Sequence, residues 1–298
     1  PAPFGYFGGK AYLRTAIIPL IDAYPHRTYC EPFGGAGWVL FAKKPSPVEV
    51  YNDANKDVVA FFKVLASPEM FEQFYRRVSV MPHSRGLFLE ARETWQTTED
   101  TIERAVLFYI TARQAFAGTV SISRKPTWSY DVNTGKCAKK WLSALHHLPE
   151  IHARLQSVQI ECDDFRKIIE RYDTPETLFY CDPPYVLYTR RHGEYLHEMT
   201  NDDHQQLIDH LLAIQGTAIV SGYHHPIYDR LAKSGWRVIE KDVPLWVSNP
   251  RVPNGKRDRR TEVIWIHPRV WQVVTEKSAP IFYSFEGVFD ADAVDHKG

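Results

Sequence analysis

A chain of 298 residues with 44% hydrophobic content can bury a large core, which excludes disorder as the default and favours one elaborated domain or two. Lys and Arg number 36 against 36 Asp and Glu, so no global field announces a nucleic acid, and such a partner must be met by local basic patches. Four cysteines (Cys30, Cys137, Cys162, Cys181) without paired spacing or a CxxC argue against a disulfide framework and a zinc site; with no signal-like start and no membrane-length apolar run, the expectation is a cytoplasmic protein without a membrane partner.

In chain order, Phe4-Gly-Tyr6-Phe7-Gly-Gly-Lys10 interleaves aromatics with glycines and ends on a lysine. It reads as a flexible lead-in or as rings and glycines that approach a flat ligand, with Lys10 meeting a carboxylate. Residues 11–24 read as an amphipathic helix ended by Pro25, and 27–31 as a short strand. Glu31-Pro32-Phe33-Gly34-Gly35-Ala36-Gly37 then turns into a helix expected over 38–44. Strand, glycine turn, helix is the geometry in which backbone passes under a nucleoside-bearing ligand. The turn lacks both the P-loop ending and GxGxxG, which argues against ATP and NAD. Residues 48–53 alternate like a second strand ending at Asp53, placed either to bind ribose hydroxyls or to cap the helix expected over 55–65; ribose is favoured.

Between residues 67 and 149 strand signals fade. Helices are expected over 69–80, 85–95 and 101–116, followed by a polar, irregular segment 119–140. This segment carries Arg124, Lys125, Lys136, Lys139 and Lys140 among Trp128, Tyr130 and Trp141. Cations for phosphates beside rings for stacking are the composition of a nucleic-acid surface; a solvated loop with a few packing aromatics is the equal alternative. Residues 67–149 are therefore read as an insert in a catalytic domain formed by 1–66 and 150–275, with 276–298 a tail.

The strand pattern resumes over 157–163, a helix is expected from Asp164 and Phe165 to Tyr172, and Thr177-Leu-Phe-Tyr-Cys-Asp182-Pro183-Pro184-Tyr185 is an apolar strand stopping at a carboxylate. Two prolines forbid both a continued ladder and an immediate helix, so the backbone after Asp182 is rigid. Glu31, Asp53, Asp163 and Asp182 each follow a strand. In a doubly wound, mostly parallel sheet, strand ends reach one edge, where ligands bind. Farther on, Arg190 and Arg191 lie in a polar loop, expected either to be a lid in which they meet phosphates or to be a solvated face. Thr200 and Asp203 form an approximate capping box, and a buried strand is expected over 217–222. His204, His210, His224 and His225 have no metal-ligand spacing. Strands over 236–243 and 262–267 are expected to pair as a closing antiparallel hairpin. Its tip, 248–260, carries Arg251, Lys256, Arg257, Arg259 and Arg260, a charge run that reads as a solvated face or, where the partner is a nucleic acid, as a clamp on it.

Phe7-Gly-Gly-Lys10, Glu31-Pro-Phe-Gly-Gly-Ala-Gly37, Asp53, Asp163 and Asp182-Pro-Pro-Tyr185, in that order, resemble the N6-adenine DNA methyltransferases of the Dam type, the D12 class, as far as about Pro268. The resemblance implies an α/β class I methyltransferase sheet with an antiparallel last strand and a helical target-recognition insert. It implies a site for S-adenosylmethionine at Tyr6, Phe7, Lys10, Glu31, Pro32, Phe33, Gly34, Gly35, Gly37 and Asp53. Asp163 is implied for the adenine amino group of the cofactor, with Asp164 the rival by one residue of register. Asp182, Pro183, Pro184 and Tyr185 would carry out methyl transfer to an adenine flipped from duplex DNA, with no metal. An RNA adenine or N4-cytosine methyltransferase and an inactive DNA-binding module remain open alternatives. A monomer or weak dimer is expected, and whether a cognate restriction endonuclease exists stays open.

Overall fold

Short β-prone runs, the first four closing on or beside an acid, alternate with helices to produce one seven-stranded sheet among the described residues. The computed structural model describes residues 2–5, 14–116, 125–186, 198–244 and 259–277. The strands are β1 (Thr28–Glu31), β2 (Val48–Asn52), β3 (Val158–Glu161), β4 (Thr177–Cys181), β5 (Thr217–Tyr223), β6 (Arg237–Pro244) and β7 (Arg259–Ile266). Their order is β3-β2-β1-β4-β5-β7-β6. The first five are parallel neighbours, and β7 runs antiparallel between β5 and β6. This is the α/β sheet with an antiparallel last strand expected from the sequence.

Ten helices accompany it among the described residues: α1 (Arg14–Ala23), α2 (Lys56–Ala66), α3 (Pro68–Val78), α4 (Arg85–Thr94), α5 (Thr101–Gln114), α6 (Lys136–Leu155), α7 (Phe165–Tyr172), α8 (Asn201–Ala213), α9 (Asp229–Lys233) and α10 (Pro268–Lys277). Local chemistry sets their starts. Asn55 caps α2 by accepting from the Asp57 and Val58 amides, Ser67 caps α3 ahead of Pro68, and Thr200 with Asp203 completes a capping box on α8. One apolar cluster runs from Phe4 and the β1–β2 face, through Phe61 and Phe62 of α2, to Tyr109 of α5 and Trp141 of α6; a second lies on the other sheet face beneath α7 and α8.

Several expectations are corrected. The helix expected over 38–44 is a run of turns between the left-handed Gly37 and Pro45, in which the Phe41 and Lys43 amides donate to the Gly37 and Val39 carbonyls. The irregular segment ends earlier than read: α6 begins at Lys136 and continues through Pro149, so the boundary placed there falls inside a helix. Trp141 is a core residue, 2% exposed, donating to the Met81 carbonyl at 2.7 Å. Arg259 and Arg260 belong to strand β7 and not to the hairpin tip, because the β6–β7 ladder extends through Pro244 and Arg259.

Below the sheet, Lys43 and Glu49, both essentially inaccessible, pair at 2.5 Å, and Arg154 of α6 closes on the other side of the same carboxylate. Burial pushes the Glu49 carboxyl up, but hydrogen bonds from Arg154 and Lys43 more than offset this and hold it below its ordinary range. Burial pulls the Lys43 ammonium down, against the bond to Glu49. These partners tie the segment after the glycine turn to the start of β2 and to α6.

Candidate active site

Because β3, β2, β1 and β4 are adjacent and parallel, the residues ending them reach one edge of the sheet: Asp163 after β3, Asp53 after β2, Glu31 on β1 and Asp182 after β4. The four acids singled out from sequence therefore share that edge. What joins them is Asn52, a residue that sequence reasoning passed over, buried to 1% at the end of β2. Its side-chain amide donates to the Pro32 carbonyl at 2.8 Å and the Asp163 carbonyl at 3.0 Å, while its oxygen accepts the Asp163 amide at 2.9 Å. One carboxamide thus clips three strand ends. An Asn beside an acid at the close of an apolar strand was the available signal.

The glycine turn is pressed onto β2. The Gly34 amide donates to the Asn52 carbonyl at 2.7 Å, and the Tyr51 hydroxyl donates to the Gly35 carbonyl at 2.5 Å. A Cβ on Gly34 would lie 2.1 Å from a ring carbon of Tyr51, which itself stacks on Phe62, so no side chain fits there. Gly35 and Gly37 take the left-handed conformation, φ 51° and 69°. Pro32 is buried, and Phe33 packs against Phe165. Asp53 accepts the Gly35 amide at 2.8 Å and the Asn55 amide at 2.7 Å. The helix cap is Asn55, so the capping alternative for Asp53 is set aside by geometry: it braces the turn.

Glu31 is buried to 2% and accepts a hydrogen bond from Tyr29 at 2.6 Å. Burial pushes its carboxyl up to about 7; Tyr29, Lys43 and the Leu40 amide pull it down, and nearby Asp182 adds to the rise. In an unfolded chain a Glu titrates near about 4.3. Between that value and 7 the unfolded chain is ionised while folded Glu31 keeps its proton, so rising pH removes stability, about 4 kcal/mol in all, with the loss complete above pH 7. Glu31→Gln cannot titrate. The stability difference between variant and parent, from urea unfolding at pH 4.5 and pH 8, should move by about 3 kcal/mol in the variant's favour; a pH-independent difference would contradict this account.

Asp163 and Asp164 sit differently. Asp164 caps α7 by accepting the Arg166 amide and also pairs with the Arg166 guanidinium at 2.9 Å. The Asp164 amide, with Lys167 and Arg171, holds the Asp163 carboxyl below its ordinary range. Asp182 accepts from the Ser221 hydroxyl at 2.9 Å. Pro183 is buried and Pro184 half-buried after it. Tyr185, 6% exposed, donates to the buried Glu262 of β7 at 3.1 Å, and its ring lies 4.2 Å from that of Tyr223. Ser221 and Glu262 were not singled out from sequence, since neither belongs to a local motif.

Among the expected DNA-facing residues, Lys139 and Lys140 line an open concavity together with Arg113, Lys136 and Ser143. Lys125 pairs with Glu93 at 2.7 Å on the surface. Beside it, His83, Trp128 and Tyr130 stack in series, at 4.9 and 5.9 Å, with Arg85 over both larger rings. Tyr6, Phe7, Lys10, Arg124, Arg190, Arg191, Arg251, Lys256 and Arg257 lie outside the described residues, as do the side chains of Arg259 and Arg260. Among the described residues all four cysteines are free, no group of three or more His, Cys, Asp or Glu is placed to hold a metal ion, and no helix is long and apolar enough to cross a membrane.

The sequence profile of the D12 class N6 adenine-specific DNA methyltransferases matches residues 6–228. A DNA adenine methylase of Salmonella typhi is 26% identical over 189 residues, covering 59% of this chain and 65% of that protein, so the chain spans just under two thirds of that relative's length. The DNA adenine methylase of Escherichia coli K12 is 25% identical over 256 residues, 80% of each chain. The type II methyltransferase M.MjaIII of Methanocaldococcus jannaschii is 25% identical over 172 residues, 53% of this chain and 58% of that one. A profile that runs from the N-terminal aromatic segment past the Asp-Pro-Pro-Tyr turn, on the sheet described above, settles the relationship: the chain belongs to the D12 class N6 adenine-specific DNA methyltransferase family.

Proposed function

We propose that the chain transfers a methyl group from S-adenosylmethionine to the N6 amino group of adenine in double-stranded DNA. The observation that carries this reading is the parallel order β3-β2-β1-β4, which gathers Asp163, Asp53, the glycine turn, Glu31 and Asp182 along one sheet edge. The residues fit such a cofactor: a turn with no room for a side chain at Gly34, Asp53 at its rim for ribose, and a buried carboxyl, Glu31, behind it. When bound, the cofactor supplies a methyl group on a sulfonium centre.

Adenine N6 is a weak nucleophile because its lone pair is conjugated with the ring. The Asp182 carboxylate and the Pro183 carbonyl would accept its two hydrogens and favour a pyramidal nitrogen, leaving its lone pair free for the methyl group that the bound cofactor would supply. The surplus N6 proton leaves along the bond to Asp182. Positioning and pre-aimed dipoles supply this catalysis. A paired base cannot reach such a site, so the adenine is flipped out at a cost of a few kcal/mol, offset by phosphate and stacking contacts. Tyr185 provides the ring against which the base would lie.

We assign DNA binding to residues 67–149, with Lys136, Lys139, Lys140 and Arg113 on phosphates and the Trp128–Tyr130 stack beside them. Replacing Lys136, Lys139 and Lys140 together by Gln should weaken DNA binding across sequences and flatten the slope of log K against log salt by roughly 0.9 for each phosphate no longer neutralised. An unchanged slope in fluorescence anisotropy would take this patch out of the interface. We further propose that the protein acts in the cytoplasm, as a monomer or weak dimer. Transfer of labelled methyl from S-adenosylmethionine to DNA and RNA differing only in adenine or cytosine tests the function. Label on adenine of duplex DNA is expected; label on cytosine or RNA alone would redirect the assignment, and no label on any substrate would refute it.

A further inference from the structure

The acid that ends β4 does not stand alone. Parallel pairing of Cys181 with Val220 brings Ser221 of β5 alongside Asp182, and the Ser221 hydroxyl donates to the Asp182 carboxylate at 2.9 Å. Behind it, on the same face of β4, the Tyr180 hydroxyl lies 2.9 Å from the Ser221 oxygen. Since Ser221 spends its single proton on Asp182, the Tyr180 hydroxyl is the donor in that contact. Ser221 is fully buried and Tyr180 is 3% exposed. Burial, then the neighbouring Asp182, pushes the Tyr180 hydroxyl well above its ordinary range, so it stays a neutral donor. The chain Tyr180→Ser221→Asp182 points one way, out of the core toward the sheet edge.

We propose that Ser221, held by Tyr180, is a positioning residue for methyl transfer: it fixes the rotation of the Asp182 carboxylate so that the oxygen facing the substrate meets an N6 hydrogen. Asp182 is preceded by a rigid strand and followed by prolines, but its own side-chain torsions are restrained by neither. A buried donor from the adjacent strand supplies that restraint, and consecutive donors polarise one another. Misplacement of a reacting group by about 1 Å can cost on the order of 100-fold in rate.

The inference rests on Asp182 being the acceptor, so Asp182→Ala is run in parallel. Single-turnover rates and the apparent affinities for S-adenosylmethionine and DNA are measured for Ser221→Ala, Ser221→Thr and Tyr180→Phe in the full chain. Ser221→Ala should lose roughly 10- to 100-fold in rate with both affinities unchanged. Ser221→Thr, which keeps the hydroxyl, should recover most of that loss, and Tyr180→Phe should lose rate to a smaller degree in the same direction. Parental rates in Ser221→Ala overturn the proposal, as does a loss that Ser221→Thr fails to recover or one confined to affinity. If Ser221→Ala does not fold, Tyr180→Phe, which keeps the ring and its packing, decides by the same split: a parental rate overturns the proposal. Full activity in Asp182→Ala would instead reject the acceptor assignment, a different failure.

Discussion

Asp182→Ala is expected to lower the single-turnover rate of adenine methylation by on the order of 10²- to 10³-fold, the range found when one preorganised polar group at a reacting centre is removed. The substitution deletes one of two proposed acceptors for the N6 hydrogens and the route by which the surplus proton leaves. It leaves the turn of Pro183 and Pro184 intact, because that rigidity is set by the rings themselves. Affinity for S-adenosylmethionine should change little, since the glycine turn is held by Asn52, Tyr51 and Asp53. Equilibrium binding of S-adenosylhomocysteine beside the rate separates the two effects. A variant that methylates at the parental rate would remove Asp182 from the chemistry.

The second large effect lies away from the site. Glu49→Ala strips a shared carboxylate from two cations, Lys43 with no exposed side-chain surface and Arg154 with 16%. Breaking a buried pair from one side costs about 3–5 kcal/mol, because the remaining charge keeps its desolvation penalty. Lys43 retains the Ser46 hydroxyl and the Lys44 carbonyl, and Arg154 the Leu40 carbonyl, which sets the expectation at the lower end. Urea unfolding measures the loss. Adding Lys43→Met to Glu49→Ala should recover part of it, since the fully buried cation is then removed and the carboxylate's remaining partner, Arg154, is partly exposed. A cost under about 1 kcal/mol for Glu49→Ala would show that the cluster is solvated on unfolding and folding alike.

The same glutamate shows where a reading of the sequence stops. Val48-Glu-Val-Tyr-Asn alternates, which suggests a strand with one wet face, yet β2 lies between β1 and β3, and every residue after Val48 is buried. Alternation records side-chain chemistry, not the second layer that covers a sheet. Trp141 is the parallel case. Set among lysines it resembles a stacking ring, but on a helix it points away from Lys139 and Lys140 and into the core. Residues 38–44 differ in the other direction: the helical pattern there is realised as turns after the left-handed Gly37, with Lys43 reaching into the buried cluster.

What the sequence alone determined was set within a few residues: where strands stop, which acids follow them, the capping box of Thr200 and Asp203, and that Asp182 is succeeded by a backbone fixed by its own rings. The parallel sheet followed from alternation of strand and helix, so the gathering of Glu31, Asp53, Asp163 and Asp182 on one edge was legible as well. Only the tertiary structure decided which groups hold those acids. Asn52 reaches Asp163 across 111 positions, Ser221 reaches Asp182 across 39 and Glu262 reaches Tyr185 across 77. Such partners are chosen by which strand lies next to which, and strand adjacency is a property of the closed sheet, not of any segment within it.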